Sequence, residues 1–382
     1  MISEISLKPV QLMPLSLLAM TLAGQPYTAQ AQDVDINFGG RYMLDYTHAD
    51  LSNEDIELRD GGIRRLRVNF SGDIEEVVDF EVEIDIDEGE VGFTDVKASY
   101  TPIGSPWTLT LGQQRTSVSL DEQTSSRFSS TLERAAFTDA FDFSRRLGVS
   151  VSHEGARHHL TLGGYSSNLN DQGGGGFDRG AAVSARAVYN PVKTDAVLVH
   201  LGGSWRYREK GKDSRDIRYE QKPFSRNFSD EIIQTSRFAK SDHFFGVEAA
   251  ATTGQFWVAG EHGELKANGD GDEPGASFNG SYIEAGYFIG GEKKYSGDSF
   301  GRPKVDAPLL KGGYGALSFV ARYDRLDLQD DIYTGKLNTL ILGTDWWPSE
   351  NTRVGLNYFN IDAENGSSKS GDGVLIRAQF DL

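Results

Sequence analysis

Residues 78–87 read Val-Asp-Phe-Glu-Val-Glu-Ile-Asp-Ile-Asp, and this stretch decides the fold. Apolar and acidic residues alternate strictly over its whole length. In a β-strand successive side chains point to opposite faces, so one face would be purely apolar and the other purely acidic. The stretch therefore predicts a strand that lies at a boundary between an apolar phase and water.

About sixteen alternating segments of this kind, each roughly ten residues long, run through the chain. The sequence contains no amphipathic helix that could cover their apolar faces. Closure of an even number of antiparallel strands solves the problem, with lipid outside and water inside. The predicted fold class is all-β: a transmembrane antiparallel β-barrel of 16 strands with inward-folded loops, formed by residues 32–382. A soluble all-β sandwich is the alternative.

The connections between the predicted strands argue for the barrel, because short turns and long polar loops alternate. Residues 254–255 are one such turn. The long loops include Thr47–Gly61, a third loop at Thr116–Arg145 and a fifth loop at Arg208–Ser241. Short turns at one end and long loops at the other are typical of the periplasmic and extracellular ends of outer-membrane barrels. One connection, Gly290–Gly315, is long although it falls on the short-turn side.

Residues 1–31 predict an export signal. Lys8 supplies a weak basic start, Leu12–Ala23 is an apolar run, and Ala29-Gln30-Ala31 is a small-x-small cleavage pattern. The run is shorter than the about 20 residues that a membrane-spanning helix needs. We therefore expect a mature chain that begins near Gln32, crosses the periplasm and resides in the outer membrane of a Gram-negative cell.

Composition and motifs exclude several function classes. Asp and Glu number 56 against 38 Lys and Arg, and the net charge of −18 argues against nucleic acid as a partner. The sequence lacks the motifs of serine hydrolases, zinc proteases and phosphate-binding loops, so we expect neither an enzyme nor a cofactor. His158 and His159 are adjacent on a predicted strand, so their rings face opposite sides and no metal site is expected.

Arginines are the candidates for solute contact, because the guanidinium group presents a planar fork of donors to phosphate and carboxylate. Arg65 and Arg67 lie opposite Leu66 and Val68, which predicts that they point into the lumen. Arg64 has the parity of the lipid face but lies near the strand end. The candidate set comprises Arg41, Arg64, Arg65, Arg67, Arg115, Arg127, Arg134, Arg145, Arg146 and Arg322. Arg134, beside Glu133, could instead hold the third loop in place.

The acidic residues of the opening stretch complicate an anion preference. The predicted acidic wall of the lumen comprises Glu81, Glu83, Asp85 and Asp87. Acidic and basic walls could face each other and produce a transverse field. Alternatively, the carboxylates could neutralise excess arginine and stiffen the inward loops. A general, zwitterion- or cation-tolerant porin without a phosphate site therefore remains an alternative to an anion-selective one, and a structural outer-membrane barrel is a further alternative.

Several segments resemble the phosphate-selective porin O/P family, and the most specific is Tyr287–Glu292. The others are Gly61–Arg67, Ser117–Arg127, Leu132–Arg134, Arg145–Gly148, Ala185–Pro191 and Leu342–Trp347. The resemblance extends, with gaps, over essentially the whole mature chain. It implies a homotrimeric, 16-stranded porin in outer-membrane lipid that passes small hydrophilic solutes, with phosphate as the hypothetical one. It also implies that the third loop, the fifth loop and the long periplasmic turn fold inward and narrow the pore.

Overall fold

The computed structural model describes residues 34–52, 56–87, 90–171, 179–212, 214–271 and 273–382. In this part of the chain, sixteen antiparallel strands close into one barrel, in which every strand pairs with its neighbours in sequence and the first pairs with the last. The predicted fold class is thus confirmed. The strands are β1 (Val34–Ser52), β2 (Ile56–Ile74), β3 (Val78–Asp87), β4 (Glu90–Tyr100), β5 (Trp107–Arg115), β6 (Arg145–Glu154), β7 (His158–Tyr165), β8 (Gly180–Lys193), β9 (Val197–Lys210), β10 (Ala239–Thr253), β11 (Phe256–Gly269), β12 (Ala276–Ile289), β13 (Ala316–Asp330), β14 (Tyr333–Ser349), β15 (Thr352–Glu364) and β16 (Ser368–Asp381).

The alternation of the sequence becomes the two faces of the barrel wall. On β1, Phe38 and Tyr42 are exposed on the outer surface, whereas Arg41, Asp45 and Thr47 are buried inside. An apolar outer surface with polar groups inside is the arrangement that a lipid bilayer requires of a barrel. No helix in the described ranges is long and apolar enough to span a membrane.

The strands differ in length, and one predicted loop is wrong. The wall formed by β3–β7 has strands of 8 to 11 residues, whereas β1 and β2 have 19 each. Thr47–Gly61 is not a loop, because β1 and β2 continue as a paired ladder to Leu51 and Ile56. In this segment of β1 the outward residues are polar, whereas Ala49 and Leu51 face inward and are buried in the core, so the apolar-outside alternation that marks a membrane strand is lost.

Three connections fold into the barrel. Loop 3 (residues 116–144) contains two short helices, α1 (Leu120–Gln123) and α2 (Ala136–Ala140). Loop 5 (residues 211–238) contains a two-residue strand pair, Glu220–Gln221 with Ile233–Gln234. The connection at residues 290–315, which lies at the same barrel end as the short turns and which we call the periplasmic turn, contains two further two-residue pairs and a 3-10 turn. These are Gly291–Glu292 with Lys304–Val305, Tyr295–Ser296 with Ser299–Phe300, and Leu309–Lys311.

An apolar core lies inside the barrel, and none of its described members belongs to β3–β7. Phe137 of α2 packs near Phe244 of β10 and Tyr282 of β12, with ring centroids 6.4 and 6.5 Å apart. Tyr219 and Phe238 of loop 5 belong to the same buried cluster. Loops 3 and 5 are thereby held against β10–β16, which leaves the short-stranded wall β3–β7 free to face the water-filled space.

Candidate pore constriction

Loop 3 is fixed to the far wall by polar side chains that accept hydrogen bonds from its backbone. Glu261 of β11 accepts from the N–H groups of Leu120 and Asp121, at 2.9 and 2.6 Å. Asp324 of β13 accepts from the Ala136 N–H at 2.8 Å. These side chains satisfy buried donors of a loop that has little regular structure of its own, which defines its position.

Buried arginines complete the attachment of loop 3. Arg377 of β16 binds both Asp45 and Glu133 at 2.7 and 2.8 Å, and Arg353 of β15 donates to the Ser129 carbonyl oxygen at 2.9 Å. Burial raises the energy of the charged Glu133 carboxylate, but Arg64 and Arg377 outweigh that effect and hold its pKa well below the ordinary value. A fixed loop of this kind sets the width of the passage.

A cavity of about 430 Å³ lies between loop 3 and the wall β3–β7. We call it the constriction cavity. Charged side chains around it are Arg41, Glu81, Glu83, Asp95, Lys97, Arg115, Arg127, Arg145 and Asp298, with His159 beside them. Five lysine and arginine side chains therefore face four carboxylates, so the local balance is positive although the whole chain is strongly acidic.

The acidic wall is neutralised by ion pairs. Glu81 lies 3.0 Å from Lys97, Glu83 lies 2.7 Å from Arg41, and Asp85 lies 2.8 Å from Arg67. The side chain of Asp87 lies outside the described part of the chain. Of the two arrangements left open by the sequence, this geometry favours neutralisation of excess arginine over two walls of opposite charge.

Arg64 does not face lipid, and a β-bulge is the reason. The pairing of β1 with β2 shifts between Met43 and Leu44. Met43 pairs with Arg65 and Leu44 pairs with Ile63, so Arg64 is the extra residue. A bulge re-aims the side chain of its extra residue. Arg64 therefore turns inward and binds Glu133 of loop 3 through two parallel hydrogen bonds of 2.7 and 2.8 Å.

Most of the candidate arginines are committed to carboxylates. Arg41 and Arg67 share Glu83, at 2.7 and 2.9 Å. Arg145 binds Asp95 at 2.8 Å. Two further candidates belong to loop 3 or its attachment. Arg134 pairs with Glu122 of the same loop at 3.2 Å, and Arg322 pairs with Glu284 at 2.7 Å and stacks on Tyr282. These groups stiffen the wall and the loop.

Four candidate arginines lack such a close partner. Arg65, Arg115 and Arg146 have no carboxylate within 4.0 Å among the described residues, and Arg127 approaches Asp381 only to 3.7 Å. Arg115 donates from one nitrogen to the carbonyl oxygens of Glu122 and Gln123, at 2.6 and 2.8 Å. Arg65 donates to the Ser126 hydroxyl. Their positive charges are thus not cancelled locally.

A second cavity, of about 590 Å³, lies toward the long loops. Loop 3, loop 5 and the strand ends line it with Arg146, Arg179, Arg208, Lys210, Arg215, Arg218 and Arg237, together with Asp139, Asp142, Asp171, Glu209, Asp216 and Glu220. Arg145 lines the constriction cavity and its neighbour Arg146 lines this one. The two cavities therefore follow each other along β6.

The periplasmic turn contacts loop 3 through Lys293. Lys293 donates to the Ser130 hydroxyl and the Phe128 carbonyl oxygen, at 2.7 and 3.2 Å, and lies over the Trp257 and Phe300 rings. Burial lowers the pKa of Lys293 to about 8. Sequence reasoning missed this lysine as an anchor, and no local pattern distinguishes it from the other basic residues of the turn.

The anchors on the far wall were also missed, although their parity carried a signal. Glu261, Glu284 and Asp324 are charged residues on inward positions of β11, β12 and β13. That parity alone could have marked them, but it cannot tell a buried anchor from a water-facing wall residue. No cluster of three or more His, Asp or Glu side chains with metal-binding geometry occurs in the described ranges.

Comparison with known proteins agrees with this architecture. A sequence profile of the family "Phosphate-selective porin O and P" matches residues 36–382. An uncharacterised protein of Caulobacter vibrioides is 34% identical over 324 residues, which cover 81% of this chain and 64% of that protein. The chain thus spans less than two thirds of the length of this relative.

Solved structures share the fold at low sequence identity. An anion-selective porin from Comamonas acidovorans has a TM-score of 0.59 at 12% identity and covers 91% of this chain and 100% of its own. The outer-membrane channel DcaP of Acinetobacter baumannii gives 0.57 at 13%, covering 94% and 100%. The trimer form of OmpT from Vibrio cholerae gives 0.59 at 12%, covering 91% and 99%. The chain belongs to the phosphate-selective porin O and P family and has the fold of an outer-membrane porin.

Proposed function

We propose that this protein forms a water-filled channel through the outer membrane, by which small hydrophilic anions cross passively. The observation that carries the proposal is the charge pattern of the constriction cavity. Each of its carboxylates is paired with a cation, whereas Arg115 is held by backbone carbonyl oxygens alone. A pore selects by the charge that remains free at its narrowest part.

The route follows β6. Anions enter the larger cavity near Arg146, pass Arg145 and Arg115, and leave beside the periplasmic turn. Loop 3 narrows this path from one side, and the wall β3–β7 limits it on the other. The family and the fold indicate a channel rather than an enzyme.

Phosphate is the hypothetical solute that the family description suggests. Free guanidinium groups suit it because they donate two parallel hydrogen bonds to one anion. The paired carboxylates count against the alternative of a cation-tolerant pore.

Planar-bilayer recordings of the purified protein test the proposal. A structural barrel or a closed enzyme barrel would give no steps of conductance. In a tenfold KCl gradient we expect a zero-current potential of the sign for chloride preference, and phosphate on one side should reduce the chloride current. A potential of the sign for potassium preference would exclude the anion channel.

Assembly and export are parts of the same proposal. We propose a homotrimer, by analogy with the OmpT structure solved in trimer form, and removal of residues 1–31 during export. Native mass spectrometry of the protein in detergent should give three times the mass of a chain that begins at Gln32. A monomeric mass, or a retained N-terminus, would contradict the respective part.

A further inference from the structure

One side of the constriction cavity carries hydroxyl groups instead of charges. Two successive inward rows of hydroxyls lie on this wall, one from β4 to β6 and the next from β5 to β7. Ser99, Thr110 and Ser150 are cross-strand partners in the first row, and Thr108, Ser152 and Thr161 are related in the same way in the second. We call these six residues the hydroxyl band, and all of them except Thr108 line the constriction cavity. No charged side chain lies within either row.

The band has hydrogen-bonding capacity to spare. Each hydroxyl can donate once and accept twice. Ser99 and Thr110 bond to each other at 2.9 Å, and Ser150 donates to Gln114 at 2.6 Å. Thr108 bonds to Thr101 at 2.8 Å and Thr161 to His159 at 3.1 Å, whereas the Ser152 hydroxyl has no partner among the described residues. Each of the five bonded hydroxyls makes one of these bonds, so acceptor sites on all six, and the Ser152 donor, remain available to water or to a solute.

The cationic groups lie at one end of this band. Lys97 precedes Ser99 by two residues on β4, which places the two about 7 Å apart along the strand. Arg115 ends β5, beyond Thr110, and Arg127 reaches the cavity from loop 3. Ser117, Gln123 and Ser125 of loop 3 add uncharged polar groups opposite the wall. A cationic end and a hydroxyl surface are thus combined in one passage, and at the β7 side the surface ends at His159 and at Asp298, which is paired with Arg186.

We infer that the preferred solutes are polyhydroxylated organic anions, which carry one carboxylate or phosphate group and several hydroxyls. This inference rests on the proposed anion channel and specifies its substrate class. The anionic group binds the free guanidinium groups, while the hydroxyls of the solute exchange hydrogen bonds with the band as water is stripped from them. The cavity volume of about 430 Å³ lies within the range of about 300–1,000 Å³ found for small-molecule sites. Inorganic phosphate would contact only the cationic end of the cavity.

Gluconate and hexanoate test the inference, because both are six-carbon monocarboxylates and only gluconate carries hydroxyls. Gluconate is the bulkier ion, so exclusion by size alone predicts that it is the poorer solute. From titration of the chloride current, we expect an apparent dissociation constant for gluconate about three- to tenfold below that for hexanoate, as for one or two additional hydrogen bonds. Equal constants, or tighter hexanoate, would overturn the inference.

A variant of the band supplies the second arm. S99A/T110V/S152A/T161V removes four hydroxyls and no charge, and T334V, on the exposed outer face of β14, is the matched control. We expect the four-site variant to bind gluconate and hexanoate equally while its zero-current potential in a KCl gradient stays that of the wild type. Retention of the gluconate preference would overturn the inference. If the variant does not assemble, the wild-type comparison decides.

The KCl gradient distinguishes failure of the proposed substrate class from failure of the proposed anion channel. Chloride preference without gluconate preference refutes the substrate class and leaves the anion channel intact. Potassium preference refutes the anion channel and, with it, the substrate class.

Discussion

Arg115 offers the sharpest test of selectivity, because its charge is free and its removal leaves every ion pair of the constriction intact. Arg115→Gln removes one positive charge at the side of the cavity. At about 6 Å from a passing ion in water, one unit charge is worth about 0.7 kcal/mol, and screening in 0.1 M salt reduces this to about 0.4 kcal/mol. The change acts in opposite directions on anion and cation, so the chloride-to-potassium permeability ratio should fall about three- to fourfold.

The same calculation predicts a salt dependence. At 1 M salt the screening length is about 3 Å, so the fall in the ratio should shrink to about 1.4-fold. Zero-current potentials in KCl gradients at both ionic strengths measure this. Arg115→Lys is the control, because it keeps the charge while it changes the bonds to the Glu122 and Gln123 carbonyl oxygens. An unchanged ratio in R115Q at low salt, or an equal loss in R115K, would refute the reasoning.

Three further predictions concern the attachment of loop 3. Glu133→Gln leaves Arg64 without its buried carboxylate and Arg377 with Asp45 alone, which should cost about 3–5 kcal/mol. The variant should change its mobility on gels at a lower temperature and show more open-channel noise, and the exposed Glu76→Gln should show neither effect. Gly280→Ala would place a methyl group 2.3 Å from the Cβ of Phe137, so α2 must move toward the pore and the conductance should fall. Gly164→Ala is the control, because nothing lies within 4 Å of the added methyl group, and it should leave the conductance unchanged. The pKa of Lys293 is lowered from 10.5 to about 8, so the folded protein favours the neutral amine. The free energy of unfolding should therefore rise by up to about 3 kcal/mol as the pH rises from 8 to 10.5. Heat-modifiability on gels across that pH range should show the rise, and Lys293→Met should abolish it. A flat wild-type profile would contradict the last prediction.

The barrel was predictable because strands between lipid and water need alternating apolar and polar residues, most clearly in Val78–Asp87. This alternation is lost where the outer face of a strand meets no lipid or its inner face meets no water. At the far end of β1 the outward residues His48 and Asp50 are polar and the inward residues Ala49 and Leu51 are buried in the core, so the apolar-outside alternation is reversed and a continuous hairpin reads as a loop. On β10–β12, Phe244, Leu265 and Phe278 face inward, where only the covering loops make an apolar residue stable.

The candidate site was less predictable than the fold, because it depends on register and on loop folding. The inward orientation of Arg64 requires a one-residue bulge that parity counting cannot detect. The pairing of Glu83 with Arg41 and Arg67 connects three strands, so it follows from cross-strand alignment and not from sequence spacing. Arginine content alone therefore did not tell which guanidinium groups remain free.

Selectivity for anions requires that the carboxylates of the constriction are neutralised while arginines stay free, and a crystal soaked in rubidium bromide tests this most directly. Anomalous scattering locates both ions. We predict bromide beside Arg115 and Arg127, and no rubidium at Glu81, Glu83 or Asp95. Rubidium bound at those carboxylates, with no bromide in the cavity, would contradict the account.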